Sequence, residues 1–240
     1  MEFLSPRGKI YYETAGEGEP ILFLHGWGGS TASFEGAVRA LKNSFFCINL
    51  DFFGHGKSDM PTLAYGIRAY AQSVAELIKH LNIGKVNIAA HSFGGRAAIY
   101  IAALYPELVN KLILIDSAGL RPRRGLKYRF KVLTYKIKKR LGMNVSKYGS
   151  ADYRAADPRL RATFNRIVNE NLKKFLRFIC AETLILWGAA DRDTPLWMAK
   201  KLNKKIRGSS LFVFPEGGHY SYIDYHGAFV EVCKQFFGVI

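Results

Sequence analysis

Residues 85–104 restrict the fold more than any other stretch of the chain. Lys85-Val86-Asn87-Ile88 is β-branched and apolar, short enough for a buried strand, and Arg96 to Leu104 has the apolar pattern of a helix. Between them run Ala89-Ala90-His91-Ser92-Phe93-Gly94-Gly95. A strand that passes straight into a helix turns sharply at one residue, here Ser92. Ala90 and Gly94, two places either side, are small enough to pack against each other and the neighbouring strand. The helix that follows points its free N–H groups and its positive end at the serine.

The rest of the chain supplies a sheet for that turn. Phe3 to Thr14 reads as two short strands around Pro6-Arg7-Gly8, and Pro20-Ile21-Leu22-Phe23-Leu24 is a continuous apolar run suited to a parallel strand covered on both faces. A helix from about Ser33 to Leu41, a strand from Phe45 to Asp51, and a helix with Tyr70, Val74, Leu77, Ile78 and Leu81 on one face come next. Lys111 to Asp116 is a further strand. Alternating strands and helices predict a mostly parallel, doubly wound α/β sheet. The alternation stops at Gly119. Residues 121–179 read as helices, one of them opened by Asp157-Pro158, before strands at Thr183–Trp187 and Leu211–Phe214 and helices near Trp197–Leu202 and Ser221–Phe237. We therefore expect a core of 1–120 and 180–240 carrying a helical cap inserted at 121–179.

The strand, the serine turn with its small flanks and the helix resemble the nucleophile elbow of the α/β-hydrolase family, with Ala90 where the usual motif has glycine. The resemblance covers nearly the whole chain outside the insert. It implies a serine nucleophile served by a histidine and an acid in the chain order Ser, acid, His. A serine hydroxyl is a poor nucleophile at neutral pH, so such partners are a chemical requirement. Asp191, in Gly188-Ala189-Ala190-Asp191 directly after a buried strand, and His219, in Pro215-Glu216-Gly217-Gly218-His219 after the last strand, stand where the family has them. Parallel strands put both loops at the same sheet edge as Ser92.

Rivals remain for both partners. Asp193 lies two residues from Asp191, and Asp116 ends the strand after the elbow helix, where some relatives place their acid. His25 and His55 sit in glycine-rich loops and read as braces, as do Asp51 and Asp59. His80 falls on an exposed helix side, His226 lies inside the last helical segment, and His91 adjoins Ser92 so closely in sequence that its ring should diverge from the hydroxyl. For the oxyanion, the resemblance points to the backbone N–H groups of Phe93 and of Trp27 in the His25-Gly26-Trp27-Gly28 loop. His25, Gly26, His91 and Tyr220 are candidates for the pocket wall.

A serine at the elbow argues against haloalkane dehalogenase and epoxide hydrolase chemistry, where the family uses a carboxylate nucleophile. Three functions follow in order: cleavage of a carboxylic ester through an acyl-enzyme, hydrolysis of a carbon–carbon bond in a dienol-type diketone, and a non-catalytic binding protein working through its insert. Cys47, Cys180 and Cys233 make no metal spacing and no even disulfide set, and Gly28-Gly29 falls far short of a dinucleotide fingerprint, so no metal or cofactor is expected.

The formal charge of +16 is concentrated. Residues 121–180 hold 18 Lys and Arg against three Asp and Glu, whereas the remainder holds 17 against 16. At helical spacing Leu126, Phe130, Leu133, Ile137 and Leu141 form one apolar stripe, and Tyr128, Val132 and Tyr135 another, with cations between. One stripe can pack on the core. The other needs a partner such as an anionic lipid surface or, by a resemblance of the His-Gly-Trp-Gly loop and basic insert to the methyl ester esterase of biotin synthesis, an acyl carrier protein. No motif suggests nucleic acid. The N-terminal residues lack a signal-peptide layout and no apolar run is long enough for a membrane helix, so a cytoplasmic location is expected.

Overall fold

The computed structural model describes residues 1–122, 125–145 and 148–238, and within the helix at 126–140 the side chains other than those of Leu126, Lys127, Tyr128, Arg129, Lys131 and Lys139. In chain order the elements are β1 (Glu2–Ser5), β2 (Gly8–Ala15), β3 (Glu19–Leu24), α1 (Glu35–Leu41), β4 (Phe45–Leu50), α2 (Ile67–Leu81), β5 (Val86–His91), α3 (Phe93–Leu104), β6 (Val109–Ile115), α4 (Leu126–Arg140), α5 (Ala151–Ala155), α6 (Arg161–Asn169), β7 (Glu182–Gly188), α7 (Trp197–Lys205), β8 (Ser210–Phe214), α8 (Ser221–Asp224) and α9 (His226–Phe237). The eight strands form one sheet in the order β1-β2-β4-β3-β5-β6-β7-β8. β3 to β8 are parallel to one another, and β1 and β2 run antiparallel at one edge.

The apolar runs of β3, β5 and β6 are explained by burial on both faces. Their side chains alternate with the strand period of two. Leu22, Leu24, Ile88, Ala90, Leu112 and Leu114 join the core shared with α2, α3 and α7. Ile21, Phe23, Ala89, Ile113 and Ile115 join the core shared with α1 and α9. The predicted stripe of α2 faces inward, with Tyr70, Val74, Leu77 and Ile78 buried and Leu81 half-buried, and the helix stops at Asn82 in the left-handed conformation (φ 52°).

Among the described residues, no strand lies between β6 and β7. The insert is tied to the body through its later half: Leu172 N–H donates to the Gly119 carbonyl (2.8 Å), Tyr65 N–H to Thr163 Oγ1 (3.2 Å) and Arg166 Nη1 to the Ala64 carbonyl (3.0 Å). Leu160, Phe164, Ile167, Leu172, Leu176 and Ile179 are buried there.

Three details differ from the sequence reading. The helix opened by Asp157-Pro158 begins as a single 3-10 turn, and the last helix breaks at Tyr225 into α8 and α9. The five-residue α5, capped by the Ser150 hydroxyl, was too short to leave a periodic signal. The sequence left open which stripe of α4 packs on the core. Phe130 (69 % exposed), Leu133, Ile137 and Leu141 (68 %) point to solvent, while Val132 and Tyr135 are half-covered. Leu126, Tyr128, Arg123, Arg124 and Lys139, which belong to the same pattern, lie outside the described residues or side chains.

Candidate active site

The site stands at the carboxyl edge of the parallel strands, and β5 delivers its centre. Ser92 sits between β5 and α3 with φ 48° and ψ −108°, a backbone conformation that costs a non-glycine residue about 1–3 kcal/mol. Three backbone hydrogen bonds hold it there: its N–H donates to the Ile115 carbonyl (3.0 Å), and its carbonyl accepts from Gly95 (3.1 Å) and Ala118 (3.0 Å). Glycine is required beside it because a Cβ at Gly94 would run into the Leu24 and His25 carbonyls, and one at Gly95 into the Ser117 side chain.

β7 and β8 bring two further loops to the serine, and these loops are bonded to each other. Ala189 N–H donates to the Phe214 carbonyl (2.9 Å) and Ala190 N–H to the Gly217 carbonyl (3.0 Å). As a result His219 Nε2 lies 3.0 Å from Ser92 Oγ, and His219 Nδ1 lies 2.8 Å from Asp191 Oδ2. Because Nδ1 faces a carboxylate it carries the proton, leaving the Nε2 lone pair to accept from the serine. Asp191 is buried, which pushes its pKa up, but hydrogen bonds from His219 and Thr194 outweigh burial and hold it below the ordinary range. Burial depresses His219, and the hydrogen bond and charge of Asp191 more than offset it, so its pKa is raised.

Thr194 was not singled out in the sequence, yet its N–H donates to Asp191 Oδ1 (2.9 Å) and its hydroxyl lies 2.6 Å from Oδ2. A hydroxyl three residues after a loop aspartate is a common local brace and was a readable signal. The rival acids are elsewhere. Asp193 is exposed and gives its backbone N–H to Asp191 Oδ1 (2.8 Å). Asp116 accepts from Gly188 N–H (2.7 Å), Ser221 N–H (3.1 Å) and Ser221 Oγ (2.6 Å), pinning the ends of β6 and β7 to α8. Burial raises its pKa to about 7.

The four candidates for the pocket wall divide. Gly26, His91 and Tyr220 line a polar cavity of about 180 Å3 beside Ser92. His25 does not reach it: the ring is fully buried, Nδ1 donates to the Gly26 carbonyl (2.7 Å) and Nε2 accepts from Phe52 N–H (3.0 Å). Its role is to brace two loops, and burial lowers its pKa to about 3. His91 does more than line. Its Nε2 donates to the His219 carbonyl (2.7 Å), fixing the backbone of the histidine loop from below.

The Trp27 and Phe93 amides sit inside turns that do not use them. Gly29 N–H bonds the Gly26 carbonyl (3.1 Å) across Trp27, and Gly95 N–H bonds the Ser92 carbonyl (3.1 Å) across Phe93. The second residue of a turn keeps its N–H free of the turn's own bond. The Trp27 side chain packs edge-on against His55, Phe93 and Phe164 at 4.8–5.4 Å between centroids. A second, apolar cavity of about 140 Å3 opens between Ser92, Phe93, Leu120, Phe164 and Ile167, and the insert supplies a third of its wall. Asp152, from the unanticipated α5, borders both cavities together with Asp193. Among the described residues, potential metal-ligand atoms converge at Asp191, Asp193 and His219, within 4.8 Å. Asp191 and His219 already use theirs on each other, so a cation would have to part the histidine from its carboxylate.

This fold and this edge-mounted Ser–His–Asp array have counterparts among known proteins. A family model described as alpha/beta hydrolase fold matches residues 19–137, and one described as TAP-like protein matches 166–238. The chain is 30 % identical over 252 residues to a 2-hydroxy-6-oxo-6-(2'-aminophenyl)hexa-2,4-dienoic acid hydrolase of Metapseudomonas resinovorans, covering 94 % of this chain and 86 % of that one. It is 31 % identical over 248 residues to an AB hydrolase superfamily protein of Bacillus subtilis, covering 92 % and 90 %. Among solved structures, an esterase from Exiguobacterium antarcticum superposes with a TM-score of 0.79 at 27 % identity, covering 95 % of each chain. The protein belongs to the α/β-hydrolase family.

Proposed function

We propose that the protein is a serine hydrolase that cleaves a carboxylic ester through an acyl-enzyme. The observation that carries this reading is the unbroken relay from Ser92 Oγ through His219 to Asp191, at 3.0 and 2.8 Å. His219 Nε2 takes the Ser92 proton as Oγ bonds the ester carbonyl carbon. The oxygen of the tetrahedral intermediate gains a negative charge between the N–H groups of Trp27 and Phe93. His219 then returns the proton to the departing alkoxide, and a water activated by the same nitrogen releases the acid and restores Ser92. Asp191 holds the imidazole in the tautomer that both half-reactions need. The insert acts as a cap, closing the apolar cavity over the acyl group.

The name of the Metapseudomonas resinovorans relative favours a second reading, hydrolysis of a carbon–carbon bond in a dienol-type diketone. There the same array would serve, with a carbanion equivalent leaving in place of the alkoxide. Turnover of a p-nitrophenyl ester and of a ring-fission diketone separates the two. Ester turnover lost in Ser92→Ala supports the first; strong diketone turnover with negligible ester turnover supports the second. No labelling of folded protein by a fluorophosphonate would overturn both and leave a binding protein.

A further inference from the structure

The apolar cavity contains a charge that the catalytic array does not use. Arg96, on α3, lies four residues beyond Ser92, about 6 Å along the axis, and its side chain lies in the cavity wall with Leu120, Phe164 and Ile167. It is 4 % exposed. Its guanidinium has five N–H donors, and among the described residues one bond is made, from Nη1 to the Glu170 carbonyl (3.1 Å). No carboxylate lies within ion-pair distance there. The Glu170 carboxylate, whose charge does reach Arg96, instead accepts from Ile67 N–H (3.2 Å). Burial lowers the Arg96 pKa to about 10, so the group stays charged at neutral pH. A buried cation with no carboxylate in direct contact is expensive, and the Leu120, Phe164 and Ile167 side chains beside it offer no relief.

The geometry points to Arg96 as the recognition site for a carboxylate carried on the acyl part of the substrate. The leaving oxygen must face His219 Nε2. His219 borders both cavities, and the polar one also takes Tyr220 and Tyr222 from the histidine loop; we place the leaving group there and the acyl chain in the apolar cavity with Arg96. Asp152 and Asp193 border both cavities alike, so the difference in charge between the cavities is Arg96, which draws a substrate anion to the apolar one. The inference rests on the hydrolase reading for the direction of the substrate, and its test separates the two.

Initial rates are compared for p-nitrophenyl valerate and the p-nitrophenyl monoester of glutaric acid, which match in length and differ in a terminal carboxylate. The glutarate ester should be preferred at least about tenfold in kcat/KM, mainly through KM, as expected of a charge-assisted bond in a closed site. Arg96→Gln should erase that preference and Arg96→Lys should keep most of it. An equal loss on both esters in Arg96→Gln would overturn the proposal in favour of a purely structural bond to Glu170. Should Arg96→Gln not fold, titration of Ser92→Ala protein with monomethyl glutarate and methyl valerate still decides, since equal affinities overturn it. That titration holds even if neither ester is turned over, in which case the hydrolase reading fails alone.

A separate observation concerns α4. Phe130, Leu133, Ile137 and Leu141 form one solvent-facing stripe on it. At 100° per residue, Lys136 and Arg140 fall on one flank of that stripe and Lys138 on the other. An outward apolar stripe between two rows of cations matches a helix lying in a lipid headgroup layer, its side chains reaching the hydrocarbon and its ammonium groups the phosphates. We infer that α4 docks on an anionic membrane surface; a second copy, equally basic, would be repelled. Flotation with phosphatidylcholine vesicles, with and without phosphatidylserine, reads this out. Binding should require phosphatidylserine, weaken with salt, and fall at least about tenfold in Phe130→Ser/Leu133→Ser/Ile137→Ser. Equal binding to neutral vesicles, no vesicle binding, or a dimer that the triple variant dissolves would each overturn it.

Discussion

The sheet body and the insert solve the problem of charge in opposite ways. In the body, Asp116 and Asp191 are buried and met by three and four donors respectively, and His25 and His91 spend their ring protons on backbone carbonyls. The insert holds 18 basic residues against three acidic ones between 121 and 180, and most of the basic residues described there are exposed. The body therefore fixes geometry, which catalysis needs. The insert creates a field, which governs what approaches. Arg96 is the exception within the body, and it stands where the two regions meet.

Four measurements sharpen or break this division. The largest effect should come from Asp191→Asn, which leaves the relay in place but allows the wrong His219 tautomer; turnover should fall roughly 10^3- to 10^4-fold. Because Asp191 raises the His219 pKa and the base works only when neutral, the acid limb of kcat/KM should also move to lower pH. Asp193→Asn reproducing both changes would move the acid assignment. Next, Thr194→Val removes one hydroxyl from the buried carboxylate and should cost about tenfold in kcat with KM little altered. An unchanged kcat would show that the backbone donors suffice.

A smaller effect concerns stability. Asp116 holds its proton up to about 7 in the folded chain, against 3.8 for a free aspartate. The folded state thus binds more protons between these limits, so stability is full below the unfolded value and declines as pH rises toward 7. Asp116→Asn should flatten that decline in melting temperature, and a wild-type decline that persists in the variant would place its source elsewhere. The smallest effect is expected from the insert. Lys173→Gln with Lys174→Gln, both exposed, should change turnover of a small neutral ester less than about twofold, because solvent screens such charges. A tenfold change would mean that the field reaches the triad.

The sheet was legible because its strands are long apolar runs and its helices keep a strict period. The array was legible because topology places loops after parallel strands at one edge, so residues 127 apart can be paired without knowing any distance. Arg96 was not, since it acts through a three-dimensional neighbour that no local pattern announces, whereas Thr194 was passed over although its spacing from Asp191 is a local signal. α4 was legible only in part, for a related reason. Its stripe follows the core-packing period, but that period states only that a face is apolar, not what covers it. His25 read correctly as a brace from its glycine-rich loop and incorrectly as pocket wall, because burial depth is not encoded in position.

The serine and its base are joined late. β8 is a five-residue edge strand paired with β7 alone, and Phe212 on it is half exposed, yet the loop it feeds carries His219. Ser92 rides instead on β5, flanked by strands on both sides. Edge strands open at lower free energy than central ones. Partial fraying would therefore produce a species with an intact elbow and no base, compact by circular dichroism and silent in turnover. Followed in parallel on heating, activity should disappear before the secondary structure does, making catalysis the most sensitive gauge of whether the last strand has zipped into place.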